Sequence, residues 1–186
     1  MKNLTKFTLC LSKIMECLCW LAGGLAGLAA VLFVVARDWL EDTLLFSMSL
    51  PEGAAGGLAL VLTNGYPCVA SIAFSALCGA VMAGLGAMIF RNIYLILKTA
   101  QGESKFSKGK TPFQKDITRM LREVGIFLIS ITAVELFFST GLRFLIGVDN
   151  VELSVEMDSV ILGLMVICLS QFFDYGTQLQ QDADGL

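Results

Sequence analysis

CLCWLAGGLAGLAAVLFVVA, residues Cys17 to Ala36, is a run of 20 residues without a charge. At about 1.5 Å of rise per residue, a helix of that length spans a hydrocarbon layer roughly 30 Å thick. Lys2, Lys6 and Lys13 precede it, as in a secretory leader. The apolar run exceeds the roughly 7 to 15 residues of a leader, however, and no clear small-residue cleavage site follows. It is expected to remain as a first membrane span. The whole chain agrees with lipid as its solvent: 186 residues, 56% hydrophobic and 16% charged, where soluble domains carry about a quarter charged residues.

Outward from this run, residues 53–90 are again free of charge. They cannot be one helix, because Asn64, Gly65, Tyr66 and Pro67 form a turn signal, with the proline placed to open a new helix. The expected spans are 17–36, 67–97, 124–146 and 159–179. Outer loops then cover 37–66 and 147–158, and an inner loop covers 98–123. The expected fold is an all-α integral membrane protein, an antiparallel four-transmembrane-helix bundle forming one domain over 1–186.

Lysine and arginine favour cytoplasmic segments near span ends. Eleven of the 13 basic residues lie either in the N-terminal tail or between Arg91 and Arg122. Arg37 and Arg143 fall near the other face, beside Asp38, Glu41, Asp42, Glu52, Asp149, Glu152, Glu156 and Asp158. Both termini and the central loop are therefore expected inside. In the outer loops, Val151, Leu153, Val155 and Met157 alternate with polar residues, as do Phe46, Met48 and Leu50, and Leu58 to Thr63 is a further apolar stretch. This period of two predicts a small extracytoplasmic β-sheet of about three strands. The alternative is irregular structure or extension of the adjoining spans.

Within the membrane, small residues mark where helices approach closely. Span two carries Ser71, Ser75, Gly79, Ala83 and Ala87 at every fourth position, and span one carries Gly23 and Gly27. These predict close packing of spans one and two, with a second copy of the chain as the alternative occupant of that face.

Glu135 stands near the middle of span three, where a charge costs about 2.5 to 3.5 kcal/mol on insertion scales, so it should face protein or water and have a partner. Thr132, Glu135, Ser139 and Arg143 form a polar stripe at helical spacing. Ser170 or Gln171 on span four is the expected partner by depth. The stripe reads either as a proton or cation relay or as a neutral, hydrogen-bonded glutamic acid that fixes helix register. A lone carboxyl without a second deep acid makes a poor relay, which favours the second. Asp174, near the inner end of span four, is expected to pair with Arg91 or Arg122.

There is no histidine, and Cys10, Cys17, Cys19, Cys68, Cys78 and Cys168 include no CxxC pair. Neither a metal site nor a thiol oxidoreductase is indicated, and the cysteines read as small buried apolar residues. No catalytic residue and no cofactor is expected. The central loop ends in Thr111, Pro112, Phe113 and Gln114, a threonine cap, a proline at the first helical position and a glutamine completing a capping box. Beyond it, Ile117, Met120, Leu121 and Val124 share one face, while Lys115, Arg119 and Arg122 fall elsewhere. The basic charge suits either anionic lipid or a docked cytoplasmic protein.

The stretch Gly109, Lys110, Thr111, Pro112, Phe113, followed by Arg119, Met120, Leu121, Arg122, Glu123, Val124 and Gly125, resembles a motif of a bacterial four-span membrane family known as domain of unknown function 2975. The run from Leu169 to Leu179, with Phe172, Phe173, Gly176 and a polar tail, resembles that family's end of span four. The tail here lacks the customary basic residues, and the loop is richer in lysine. The resemblance covers mainly residues 90–179. It implies a bacterial inner membrane and a regulatory partnership with a small helix-turn-helix protein. The expected function is a non-enzymatic signalling or regulatory membrane component acting through protein contacts, the alternative being a small transporter or channel component that uses Glu135. Expected partners are the lipid bilayer, a cytoplasmic regulatory protein and, through the small-residue face, a second copy; direct nucleic-acid binding is not expected.

Overall fold

The structure, a computed structural model, describes residues 2–36, 62–63, 66–67, 69–102, 114–146 and 157–184. Its elements are α1 (Lys2–Val35), β1 (Leu62–Thr63), β2 (Tyr66–Pro67), α2 (Val69–Ala100), α3 (Lys115–Ile146) and α4 (Met157–Asp184). All four helices are long and apolar enough to cross a membrane, over Thr5–Val35, Ile72–Ala100, Lys115–Gly141 and Met157–Ala183. With 34, 32, 32 and 28 residues they extend about 42 to 51 Å, past a hydrocarbon layer of roughly 30 Å. The excess carries charge: Lys6, Lys13 and Glu16 on α1, Arg91 and Lys98 on α2, and Lys115 to Glu123 on α3.

The helix ends follow ordinary capping chemistry. α2 stops at Gly102, whose φ of 78° is a left-handed conformation that glycine adopts freely. Its N–H reaches the Thr99 carbonyl at 3.1 Å, and Lys98 complements the negative helix end. α3 starts later than its sequence signal. Gln114 occupies the residue before the helix, and its carbonyl accepts the N–H groups of Ile117 at 3.0 Å and Thr118 at 3.1 Å. The helix begins where enclosure begins, since Gln114, Ile117 and Thr118 are all buried. Gln114 is thus not the third helical residue of a capping box, and Thr111, Pro112 and Phe113 lie outside the described residues.

β1 and β2 pair antiparallel, with Leu62 opposite Pro67 and Thr63 opposite Tyr66. They bracket Asn64 and Gly65, a dipeptide suited to a two-residue hairpin turn. Pro67 closes this hairpin instead of opening α2, which starts at Val69. The three-stranded outer sheet is not supported. Among the described residues this two-residue pair is the only strand pairing. Met157 and Asp158, expected at the end of a strand, form the first turn of α4, where an acidic side chain meets the positive helix end. Residues 46–50, 58–61 and 151–156, the other expected strand positions, lie outside the described residues.

The chain divides into two compact units. The first comprises Met1–Trp20, Gly84–Thr132 and Glu156–Leu186; the second comprises Leu21–Ala83 and Ala133–Val155. In the first, α1 and α2 run antiparallel, with Lys13 Nζ 5.5 Å from the Tyr94 ring centroid and the Cys19 sulfur 3.6 Å from where a Cβ on Gly86 would stand. α3 and α4 also run antiparallel there, touching at Gly125 and Gly163. In the second unit, Gly27 of α1 faces Ala80 of α2, and the Phe74 ring lies against Phe138, with centroids 4.9 Å apart, and against Gly141.

Burial is inverted relative to a protein folded in water. Among the described residues ten polar or charged side chains are buried against six apolar ones, while Leu18, Leu21, Leu25, Leu28 and Leu32 on α1 and Ile161, Leu164, Met165, Leu169 and Phe172 on α4 are exposed. Water would penalise so much exposed apolar surface, and lipid does not. Three of the buried hydroxyls are satisfied along their own helices, Ser75 on the Ile72 carbonyl, Ser170 on Ile167 and Thr177 on Phe173.

Candidate functional site

The most developed polar site lies in the first unit, between the last third of α2 and the start of α3. A cleft of about 380 Å³ is lined there from both helices. Antiparallel pairing sets its levels. Met88 and Phe127 form the apolar end, on the side of the charge-free runs of both helices. One turn further out come Arg91, Asn92 and Glu123, then Leu95, Arg119 and Met120, with Asp116 outermost. The Glu123 carboxylate organises the middle level: its Oε1 accepts from Arg119 Nε at 2.9 Å and its Oε2 from Asn92 Nδ2 at 3.3 Å. Asn92 is buried, which makes its bond across the helix pair the firmer of the two; the Arg119 pair is largely solvent-exposed and contributes little alone.

The faces of α3 follow the sequence pattern. Ile117, Met120 and Val124 are buried, whereas Lys115, Arg119 and Arg122 are exposed. The last three stand at i, i+4 and i+7, so they form one cationic row held outward by burial of the opposite face. Nearby on α1 and α2, Lys13 bonds Glu16 at 2.8 Å, and the Tyr94 ring faces both Lys13 and Lys98 at 5.5 and 5.7 Å.

Thr99 is fully buried, and its hydroxyl has no hydrogen-bond partner among the described residues. An unsatisfied buried hydroxyl costs about 1 to 3 kcal/mol, so Thr99→Val, of similar volume, is expected to stabilise the protein by about 1 kcal/mol. Thermal unfolding of the detergent-solubilised variant measures this, and an unchanged or lowered midpoint would contradict it.

The Asp174 ion pair is a correction. Asp174 is exposed and accepts instead from Gln178 Nε2 at 3.4 Å, one turn along its own helix. Among the described residues the ion pairs are Lys13 with Glu16 and Arg119 with Glu123. Arg91 lines the cleft, and Arg122 belongs to the exposed row. Depth along a span does not fix the rotation of its helix, and rotation turns Asp174 outward.

Of the stripe on α3, Thr132 is buried, Glu135 and Ser139 are half-buried, and the side chain of Arg143 lies outside the described residues. Glu135 stands within electrostatic range of Cys78 on α2 in the second unit. Of its two expected partners, Ser170 donates to the Ile167 carbonyl at 2.7 Å, and Gln171 is exposed.

Among the small residues, Ser75 and Ala87 are buried and Gly23 and Ala83 are half-buried, but nothing lies within 4 Å of a Cβ built on Gly79. A four-residue repeat advances 400° on a helix with 3.6 residues per turn, so such a stripe winds off any single face. A Cβ built on Gly27 would accordingly stand 3.9 Å from the Cβ of Ala80, which lies outside the repeat. The side chain of Ser71 lies outside the described residues. The cysteines are a further correction: Cys10, Cys17 and Cys168 are exposed, Cys19 and Cys78 are half-buried, and all five are free. The three exposed ones share the outward apolar surface, where lipid accepts a thiol, and Cys19 faces Gly86; Cys68 lies outside the described residues.

Sequence reasoning missed two features. One is Glu123 with Asn92, for which the signal was a buried-face polar residue on each helix just outside the charge-free runs. The other is the glycine pair. A Cβ on Gly125 would stand 2.6 Å from Ile167 Cγ1 and 2.8 Å from the Gly163 carbonyl; one on Gly163 would stand 2.7 Å from Ile129 Cγ1 and 2.8 Å from the Gly125 carbonyl. The contact is reciprocal, a glycine followed by isoleucine four residues on in both helices. No protein-family model, curated protein or solved structure matches this chain.

Proposed function

We propose that this chain is a non-enzymatic signalling or regulatory protein of the bacterial cytoplasmic membrane, with both termini inside, which works by docking a soluble partner protein on its basic end. The observation that carries the reading is the exposed row Lys115, Arg119 and Arg122, set on a helix whose opposite face, Ile117, Met120 and Val124, is buried. A cationic row that follows the lysine-rich segment 98–110 in the sequence suits a partner with an acidic surface, because complementary charge speeds encounter and sets register. Orientation rests on the bias of basic residues toward this end. The resemblance of residues 109–125 and 169–179 to domain of unknown function 2975 supports a helix-turn-helix regulator as that partner.

The test compares the full-length chain with Lys115→Glu/Arg122→Glu, cross-linked in native membranes and purified in detergent. The regulator is expected to co-purify with the unaltered chain and to fall at least about tenfold with the variant, the scale of 1.4 kcal/mol. Equal recovery would sink the reading. The transporter alternative draws on half-buried Glu135 beside Cys78. Under the docking reading, Glu135→Gln leaves proton flux into proteoliposomes unchanged; abolished flux would favour transport.

A further inference from the structure

The cleft between α2 and α3 has an order of chemistry along its length that the docking row, which shares only Arg119 with it, does not use. Its apolar end, Met88 and Phe127, belongs to the charge-free runs that lie in hydrocarbon. Arg91 and Arg119 follow on successive turns, where both helices leave the apolar layer. Asp116 comes last, three residues beyond Arg119 on α3, or about 4.5 Å further out by helical rise. Glu123 occupies the middle but already has partners on both carboxylate oxygens, Arg119 and Asn92. Arg119 gives only Nε to that bond, which leaves Nη donors of its guanidinium group for a second acceptor. Arg91 is exposed, and Asp116 is half-buried.

From the hydrocarbon outward, the cleft therefore offers apolar contact, two guanidinium groups and then a carboxylate. A phospholipid with an amine headgroup presents acyl chain, phosphate and ammonium in the same order. We propose that the cleft binds one phospholipid carrying a primary amine, with its phosphate on Arg91 and Arg119, its ammonium on Asp116 and the start of an acyl chain beside Met88 and Phe127. Two positive and two negative side chains line the cleft, so its charge matches a zwitterion better than an anionic headgroup. A primary ammonium donates three hydrogen bonds, whereas the quaternary ammonium of a choline lipid donates none. The apolar end selects the lipid over a soluble phosphate ester of the same amine.

Native mass spectrometry of the full-length protein, released from detergent with defined lipids, tests this. Phosphatidylethanolamine is expected to remain bound about tenfold more than phosphatidylcholine or phosphatidylglycerol of the same acyl chains, the scale of one charge-assisted hydrogen bond. Asp116→Asn should remove the preference over phosphatidylglycerol while lipid is still retained, and Arg91→Gln should weaken all three. Asp174→Asn, which removes an exposed carboxylate on α4 outside the cleft, should leave lipid retention unchanged. A phosphatidylethanolamine with a photoreactive group near the start of its acyl chain should label the peptides containing Met88 and Phe127, an assay that reads the site independently of variant stability. Equal or tighter binding of phosphatidylglycerol by the unaltered protein would overturn the proposal. So would labelling elsewhere, or competition by soluble glycerophosphoethanolamine at the concentration of the lipid.

Discussion

Gly125→Val is expected to separate α3 from α4 and abolish the folded state of the first unit. The added Cβ alone would stand 2.6 Å from Ile167 Cγ1, 2.8 Å from the Gly163 carbonyl and 3.2 Å from the Ile167 nitrogen. Two of those atoms are backbone and cannot swing aside, and the third, Ile167 Cγ1, belongs to a branched side chain stiff at χ1 in a helix. Overpacking a well-filled contact typically costs about 1 to 3 kcal/mol, and two branched methyls against rigid backbone should reach the top of that range or exceed it. Because helix association in lipid depends on close packing with little help from apolar burial, nothing offsets the loss. Gly163→Val should behave alike, since the clash is reciprocal. Gly79→Ala is the control: it has open space and gains helix propensity of up to about 1 kcal/mol. Thermal unfolding in detergent, followed by size-exclusion recovery, checks all three. A Gly125→Val protein as stable as the Gly79→Ala variant would refute the crossing.

Ile117→Ala is expected to destabilise the first unit by about 2 to 5 kcal/mol, the usual cost of emptying a fully enclosed aliphatic site. Ile117 is 2% exposed and lies in the first turn of α3, beyond the charge-free runs. Apolar burial there counts more fully than it does within hydrocarbon. The same burial holds Lys115, Arg119 and Arg122 outward, so the loss should also reduce partner recovery without removing a charge. Exchange of backbone amides in the first two turns of α3 would report it, and protection equal to that of the unaltered protein would contradict it.

What was legible in the sequence was legible through charge. Runs such as Cys17 to Ala36 and the end of the run at Arg91 mark four spans, because an ion in hydrocarbon is costly whatever its neighbours are. The amphipathic start of α3 was legible for the same reason: water on one side and protein on the other leave a clear pattern at Ile117, Met120 and Val124. Where lipid replaces water, lipid and protein interior are equally apolar and the pattern fades. Gly79, Asp174 and Cys17 show the effect, each given an inward role by sequence and turned outward or left open by the fold.

The presence of four helices able to span a membrane and the gathering of basic charge at one end were thus determined by the sequence alone. Only the tertiary structure decided the rotation of each helix about its axis. Rotation selected Asn92 and Arg119 for Glu123, set Gly125 on Gly163 and aligned Arg91, Arg119 and Asp116 along one cleft. These depend on which backbones can approach most closely, a property of two surfaces together that neither helix carries by itself.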